Sequence, residues 1–179
     1  MPPIQFRPLA LTDLPVITTW LNDPDVAAWY GEGDPTLEHL TEKYAPLIDG
    51  REPTDGYIIR IDDRDAGHIH CYVIDRHPDY ARQIQVEPGA VGIDLFIGEA
   101  DFRNRGFGSQ VLRAFLDSIV FGEMAATTAI IAPDPANTRA IRSYEKAGFA
   151  WVKTVHIDDP EPQNTGEEYV MIQRAPSST

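Results

Sequence analysis

One stretch limits the fold more than any other. Residues 91–97 (Val-Gly-Ile-Asp-Leu-Phe-Ile) read as a buried strand, and a short turn leads from them into Arg103-Asn104-Arg105-Gly106-Phe107-Gly108. That segment opens a helix predicted over 106–119, with Phe107, Val111, Leu112, Phe115, Leu116 and Ile119 on one side. A strand running into an amphipathic helix through a short turn is a unit of an α/β fold. Glycines at the helix start let the backbone approach a ligand, and the unpaired N–H groups there, with the helix dipole, favour an anion such as a pyrophosphate. Arg103 and Arg105 add positive charge, and Ser109 closes the turn. Gly106-Phe107-Gly108 supplies only the first half of G-x-G-x-x-G, ending on Val111, and no Gly-Lys-Ser/Thr follows. Taken alone, the segment is read equally as an anion site or as a glycine turn that starts an ordinary helix.

The rest of the chain extends the α/β pattern. Strands are predicted at 4–8, 56–61, 67–74, 127–132, 150–156 and 168–173, and the polar turn 62–65 makes the second and third an antiparallel hairpin. Thr12 and Thr36 are candidate caps of two further helices, and a helix over 137–147 stops at Gly148. Residues 77–89 read as a long polar loop. The sum is a mixed, mostly antiparallel sheet with helices on both faces. One domain is expected over 1–174, with a disordered tail at 175–179.

Composition excludes several functions. The 179 residues carry 28 acids against 15 bases, a net charge of −13, so nucleic-acid binding is not expected and a cationic partner is electrostatically favoured. No apolar run reaches the length of about 18 residues that spans a membrane, and no secretory leader is recognised at the N-terminus. Cys71 is the only cysteine, so no internal disulfide and no cysteine-based zinc site are expected, which fits a cytoplasmic protein. His68 and His70 alternate along a strand without a third ligand in register, and no metal is expected.

The glycine turn is followed some distance on by Asn137-Thr138-Arg139-Ala140-Ile141-Arg142-Ser143-Tyr144-Glu145-Lys146-Ala147-Gly148-Phe149. The order and spacing of the two segments, with their flanking strands, resemble the GCN5-related N-acetyltransferase superfamily across nearly the whole chain, 4–173. The resemblance implies acetyl-CoA as donor. It assigns the pyrophosphate to the turn from Arg103 to Ser109 (Arg103, Asn104, Arg105, Gly106, Phe107, Gly108, Ser109). The pantetheine arm falls to the backbones of Leu95, Phe96 and Ile97, to the strand 127–132 and to Asn137. Tyr144 is implied near the sulfur, as the group that protonates the leaving thiolate.

A closer resemblance, to the aminoglycoside 6′-N-acetyltransferases, rests on Trp29-Tyr30-Gly31-Glu32, Gly92-Ile93-Asp94, Glu87-Pro88-Gly89, the 137–149 motif and 169–174. It implies a small cationic amine as acceptor, with Asp94 at the reacting amine, Asp79 as a flap carboxylate, and Trp29 and Glu32 in the pocket. The chain departs from that group at Asp134, displaced two positions along the approach to Asn137, and at Tyr80-Ala81-Arg82, where the group is tryptophan-rich. Thioester attack needs a neutral amine, yet an alkylamine of pKa ~10 is neutral in only about one part in a thousand at pH 7. A neighbouring carboxylate can take the proton. Asp94, mid-strand, points opposite to Ile93 and Leu95, which suits that role or a solvated polar face alike. His70 is a candidate hydrogen-bonding group in the acceptor cleft, and Asp134 a candidate substrate contact.

The sequence thus points to direct acetyl transfer in a ternary complex, by a monomer or homodimer, with Cys71 not needed as a covalent intermediate. Rival readings are an acetyltransferase for a protein N-terminus, one for a siderophore or lysine-derived metabolite, and a non-catalytic acyl-CoA sensor.

Overall fold

The computed structural model describes residues 2–31, 33, 35–158 and 165–176. Alternation along each strand builds the sheet, because successive side chains take opposite faces. Strand β3 (Arg64–Val73) is the pattern for the rest. Its Ile69 and Cys71 are buried in one cluster with Ile59, Ile61, Ile93, Val111, Leu112 and Phe115, and His68, His70 and Tyr72 take the other face. The remaining strands are β1 (Ile4–Pro8), β2 (Thr54–Ile61), β4 (Val91–Ile97), β5 (Thr128–Ile131), β6 (Ala150–His156) and β7 (Glu167–Arg174). They form a seven-stranded sheet in the order β1-β2-β3-β4-β5-β7-β6. Only β4 and β5 run parallel. The β2–β3 connection tightens to Asp62-Asp63, both at positive φ (51° and 60°), the geometry of a two-residue hairpin turn.

Helices cover both faces. On one, α1 (Leu14–Leu21), the short α2 (Pro24–Ala27) and α3 (Leu37–Ile48) enclose Ile17, Trp20, Leu21, Leu40 and Tyr44 with Ile58 and Phe96 of the sheet. On the other, α5 (Phe107–Phe115) buries Val111, Leu112 and Phe115 and continues as a π-helical segment, Leu116–Glu123. Each such side chain stabilises the fold by roughly 1.5–3 kcal/mol. The last helix, α6 (Thr138–Ala147), ends on Gly148 at φ 108°, a left-handed stop natural to glycine. No helix among the described residues is long and apolar enough to cross a membrane.

Several sequence expectations need correction. Thr36 caps α3 as predicted, but Thr12 caps nothing: a short turn, Leu11–Asp13, precedes α1. Asp13 there takes Arg7 at 2.7 Å and the Ala10 amide at 2.9 Å. The loop expected at 77–89 contains a helix, α4 (Pro78–Ile84), with Pro78 in its first turn and Ile84 buried. The expected tail starts too early, because the Ala175 amide donates to the Thr127 carbonyl at 2.9 Å; residues 177–179 lie outside the described residues.

The feature that positions the site is the β4–β5 pairing. Only Val91↔Ala129 and Gly92↔Ile130 are in register. Beyond β5 come Pro133 and Pro135, which have no N–H to donate, and the Pro133 carbonyl turns instead to Tyr169 of β7. The β4 residues from Ile93 onward therefore have no ladder partner on β5, and the sheet opens.

Candidate active site

Gly92 lies opposite Tyr72 across the β3–β4 ladder. A Cβ at Gly92 would stand 2.7 Å from two carbons of the Tyr72 ring, so the bare glycine lets that ring lie against β4. That brings the Tyr72 side chain beside Asp94, two residues on and on the same face, where its hydroxyl favours the ionised carboxylate. From the next rung, His70 Nε2 stands 3.2 Å from Asp94 Oδ2. Burial raises the Asp94 carboxyl, but His70's hydrogen bond and charge, with the Tyr72 hydroxyl, outweigh it and hold the group below the usual carboxylate range. The side chain is still 41% exposed, open to the cleft. Beneath it, burial and the neighbouring His70 push His68 down to about 3, so His68 is neutral. Its Nδ1 lies 3.0 Å from the Tyr57 carbonyl, which only accepts. His68 therefore donates there and offers Nε2 as an acceptor to His70 Nδ1, 3.4 Å away. Tyr30 Oη is 3.3 Å from the same His70 nitrogen.

A second carboxylate joins this face from β7. Glu168, Val170 and Ile172 alternate toward α4, where Val170 and Ile172 pack with Tyr72, Tyr80 and Ile84. The Tyr80 hydroxyl donates to Glu168 Oε2 at 2.7 Å. Burial pushes Glu168 up to about 7 against the lowering effect of that bond, and the charge of Asp94 raises it further. The sequence offers the acids of the last loop, Glu167-Glu168, for a cationic pocket but does not join Glu168 to Tyr80. Their signal was the period-2 register of Glu168 with Val170 and the position of Tyr80 two residues into α4. The flap acid chosen instead, Asp79, is a correction: it lies in the first turn of α4, 86% exposed and paired with Arg82, outside the cleft.

The other half of the cleft is built at the start of α5 and along α6. Gly106 takes φ 82°, which the turn requires. A Cβ on Gly108 would come within 2.8 Å of Ser143 Oγ, so this glycine lets α5 and α6 close together. Arg103 is not a free cation for a ligand: its guanidinium takes both Asp23 oxygens at 2.6 and 2.8 Å and Asp25 at 3.3 Å. Arg105 lies on the surface and outside the lining. Positive charge at the cleft comes instead from Arg139, Arg142 and Lys146, one stripe of α6 that the sequence reading left out, although the spacing of three and four residues marks it. Burial, and then the charge of Asp94, push the Tyr144 phenol up, which keeps it protonated.

Asn137 Oδ1 accepts the Ala140 amide at 3.1 Å and so caps α6. Its carbonyl end is committed to the fold, which leaves the amide N–H pair for a ligand. Asn137→Asp keeps the cap and removes that donor. We expect an unchanged melting temperature with acetyl-CoA affinity lowered by about tenfold, as for one lost hydrogen bond, measured by calorimetric titration. Asp134 lines the cleft but is tied to the Ala136 and Thr165 amides at 2.8 and 2.7 Å. Trp29 is 38% exposed at the cleft mouth; Glu32 lies outside the described residues.

These groups line one continuous cleft of about 850 Å³ from Trp29 and Tyr30, past His70, Asp94 and Glu168, to Gly108, Asn137 and Tyr144. Leu95, Phe96 and Ile97 form its floor along the open edge of β4. An extended ligand with amides in its arm and anionic groups at one end fits this surface: unpaired strand backbone for the arm, helix N–H groups and the α6 cations for the anion.

Comparison with known proteins agrees. Residues 10–157 match the model of the acetyltransferase (GNAT) domain. The chain belongs to the GNAT acetyltransferases. An aminoglycoside N(6′)-acetyltransferase type 1 of Klebsiella pneumoniae is 32% identical over 158 residues, 87% of this chain and 78% of that protein. Aminoglycoside acetyltransferase AAC(6′)-Ib, solved with coenzyme A and kanamycin, superposes with a TM-score of 0.83 at 29% identity, covering 96% of this chain and 95% of that one. The lysine N-acyltransferase MbtK of Mycobacterium tuberculosis is 26% identical over 155 residues, 82% of this chain and 69% of that protein. As a GNAT member the chain is an N-acetyltransferase, and the opened β4–β5 edge beside a glycine-started helix is where its fold makes room for an acyl donor.

Proposed function

We propose that this GNAT enzyme transfers the acetyl group of acetyl-CoA to the 6′-amine of an aminoglycoside, by direct attack with both substrates in the cleft. One observation carries the reading: a carboxylate held ionised, Asp94, stands on the open end of β4 in the same cleft as the protonated Tyr144. The similarity to aminoglycoside N(6′)-acetyltransferases supports the choice of acceptor.

Bound acetyl-CoA supplies an activated acyl group as a thioester. The β4 edge at Leu95, Phe96 and Ile97 and the Asn137 amide orient its arm, and the α5 start with Arg139, Arg142 and Lys146 balances its charge. Asp94 holds the acceptor ammonium and takes its proton, and His70 fixes the carboxylate. Tyr144 gives its proton to the departing sulfur. Trp29 and Tyr30 wall the acceptor side, where the cleft acids Asp94, Glu168 and Glu52 suit a polycation. Such pairs set orientation and association rate more than affinity. An acyl-CoA sensor has no use for the Asp94–Tyr144 pair.

The test is thiol release from acetyl-CoA, followed with a disulfide dye, across kanamycin, spermidine, free lysine and short peptides. We expect rapid release with kanamycin. Release with lysine or a peptide alone would move the acceptor to the lysine-acylating or N-terminal class, and release with none would refute the amine-transfer reading.

A further inference from the structure

The guanidinium of Arg103, the first residue of the glycine turn, is committed to a segment 80 positions earlier in the chain. It grips Asp23 as a two-pronged pair, Nη2 to Oδ2 at 2.6 Å and Nη1 to Oδ1 at 2.8 Å, and Nη1 reaches Asp25 Oδ2 at 3.3 Å. Only 11% of its side chain is exposed, and its Nε is buried with no hydrogen-bond partner among the described residues. A guanidinium so placed adds little to stability, since buried ion pairs roughly break even against apolar side chains. What the fork supplies is direction: a planar, bidentate pair fixes the two groups it joins in one mutual orientation.

The segment it holds leads into the wall of the acceptor half. Asp23 caps α2, its side chain accepting the Asp25 amide at 2.9 Å. Helical backbone bonds then carry the chain without a break to the wall. Val26 and Ala27 donate to the Asp23 carbonyl at 3.0 and 2.9 Å, and Trp29 and Tyr30 donate to the Val26 carbonyl at 3.1 and 2.9 Å. Tyr30 sets its ring against Phe96, with 4.8 Å between centroids, and its hydroxyl 3.3 Å from His70 Nδ1. The other nitrogen of His70 stands 3.2 Å from Asp94. Contacts thus run from Arg103 through α2 and Tyr30 to the carboxylate that meets the amine. Among the described residues, Arg103 is the cation paired with both acids of α2.

We infer that Arg103 is a positioning residue for the acceptor: it bolts the Trp29–Tyr30 wall to the turn that opens α5, and the donor anion is left to the backbone of that turn and to the α6 cations. The inference rests on the amine-acceptor reading above and deepens it, because it names the residue that sets where the acceptor lies against the donor. A misplacement of about 1 Å between reacting groups costs on the order of a hundredfold in rate. The element that walls the acceptor therefore has to be fixed to the element that carries the thioester, and Arg103 makes that join within one continuous cleft.

The pair also has a charge effect, and its sign differs. Asp25 lines the cleft, and Arg103 offsets it and Asp23. If charge were all, removing the cation would present two acids to a polycation and tighten its binding, while removing Asp23 would weaken it. If position is what the pair supplies, both substitutions loosen the wall and both weaken the acceptor.

The test compares Arg103→Met, Asp23→Ser and the double variant in the full chain. Met keeps an apolar stem like that of Arg103, and Ser keeps the cap of α2, so both are chosen to fold. We expect kcat/KM for kanamycin to fall on the order of tenfold or more in each single variant, with the dissociation constant of acetyl-CoA within about twofold of the parent by calorimetric titration. The double variant should be no worse than Arg103→Met alone, because the pair is lost only once. Weaker acetyl-CoA binding with an unchanged KM for kanamycin would overturn the inference and return Arg103 to the donor. Opposite signs in the two single variants would overturn it in favour of charge, and a double variant that sums the two losses would overturn it by showing that the residues act apart. A second readout needs no acceptor and so stands clear of the choice of kanamycin. With 5-fluorotryptophan in the chain, the 19F resonance of Trp29, assigned with Trp29→Phe, should shift and broaden in both single variants while that of Trp151 on β6 holds. A Trp29 resonance unmoved in both overturns the inference, whereas a parent that leaves kanamycin unacetylated refutes only the acceptor.

Discussion

Asp94→Asn should turn over on the order of a thousandfold more slowly while binding acetyl-CoA as before. The magnitude follows from the amine. With a pKa of ~10 it is neutral in about one part in a thousand at pH 7, so losing the group that removes its proton leaves the reaction to that small fraction. A thousandfold is about 4 kcal/mol of barrier. Asn matches Asp in shape, and its carbonyl oxygen can still accept from His70, so the fold and the donor half of the cleft stay intact. The pH profile separates proton removal from mere positioning. If solvent must deprotonate the amine, the variant's rate climbs about tenfold per pH unit toward the amine pKa, while the parent levels off near neutrality. Steady-state kinetics with kanamycin between pH 6 and 9, beside calorimetric titration of acetyl-CoA, checks both halves. A variant as slow at pH 9 as at pH 7 would assign Asp94 to holding the ammonium alone, and one with parental kcat would remove it from the mechanism.

What could be read from the sequence was whatever repeats on a short period. The alternation in Val91–Ile97 gave that strand its bounds and turned Asp94 away from Ile93 and Leu95, as observed. The apolar spacing of 107, 111, 112 and 115 gave α5, and Asn137 and Gly148 marked the ends of α6. Three features escaped because they depend on partners distant in the chain. Asp79 and Tyr80 are adjacent, and only the helical turn of α4 decides that Tyr80 enters the cleft and Asp79 does not. Arg103 reads as a ligand cation until Asp23 and Asp25, some eighty positions earlier, are seen to neutralise it. Glu168 reads as the first residue of a strand behind an acidic loop until its pairing with Val155 and its bond from Tyr80 show which way it faces. Local pattern fixes elements and faces; tertiary contact decides which charges are free to act.

Gly67→Ala should be the most damaging single methyl in the sheet. Exchanging Gly for Ala ordinarily stabilises by about 0.4–1 kcal/mol, because the unfolded chain loses freedom. Here a Cβ would stand 2.2 Å from the Phe96 carbonyl oxygen, 3.0 Å from Ile97 Cα and 3.2 Å from the Gly98 amide nitrogen. These are backbone atoms and no rotamer relieves them, so β3 and β4 must move apart. They have little room to do so. The Gly98 and Glu99 amides both donate to the Ala66 carbonyl, at 2.8 and 3.0 Å, and Trp20 reaches Glu99 at 2.9 Å. Overpacking of this kind costs typically 1–3 kcal/mol and more when backbone is involved, so the clash outweighs the entropy gain. We expect a net loss of about 3 kcal/mol, read as a lower urea midpoint at constant slope or a fall of roughly 6–12 °C in Tm. The damage should also reach function. Phe96 and Ile97 are the open edge of β4 that receives the acyl donor, so the surviving folded fraction should bind acetyl-CoA more weakly than the parent. Parental stability would mean that the β3–β4 contact yields more easily than its hydrogen bonds imply. Lost stability with parental acetyl-CoA affinity would separate the integrity of that edge from donor binding.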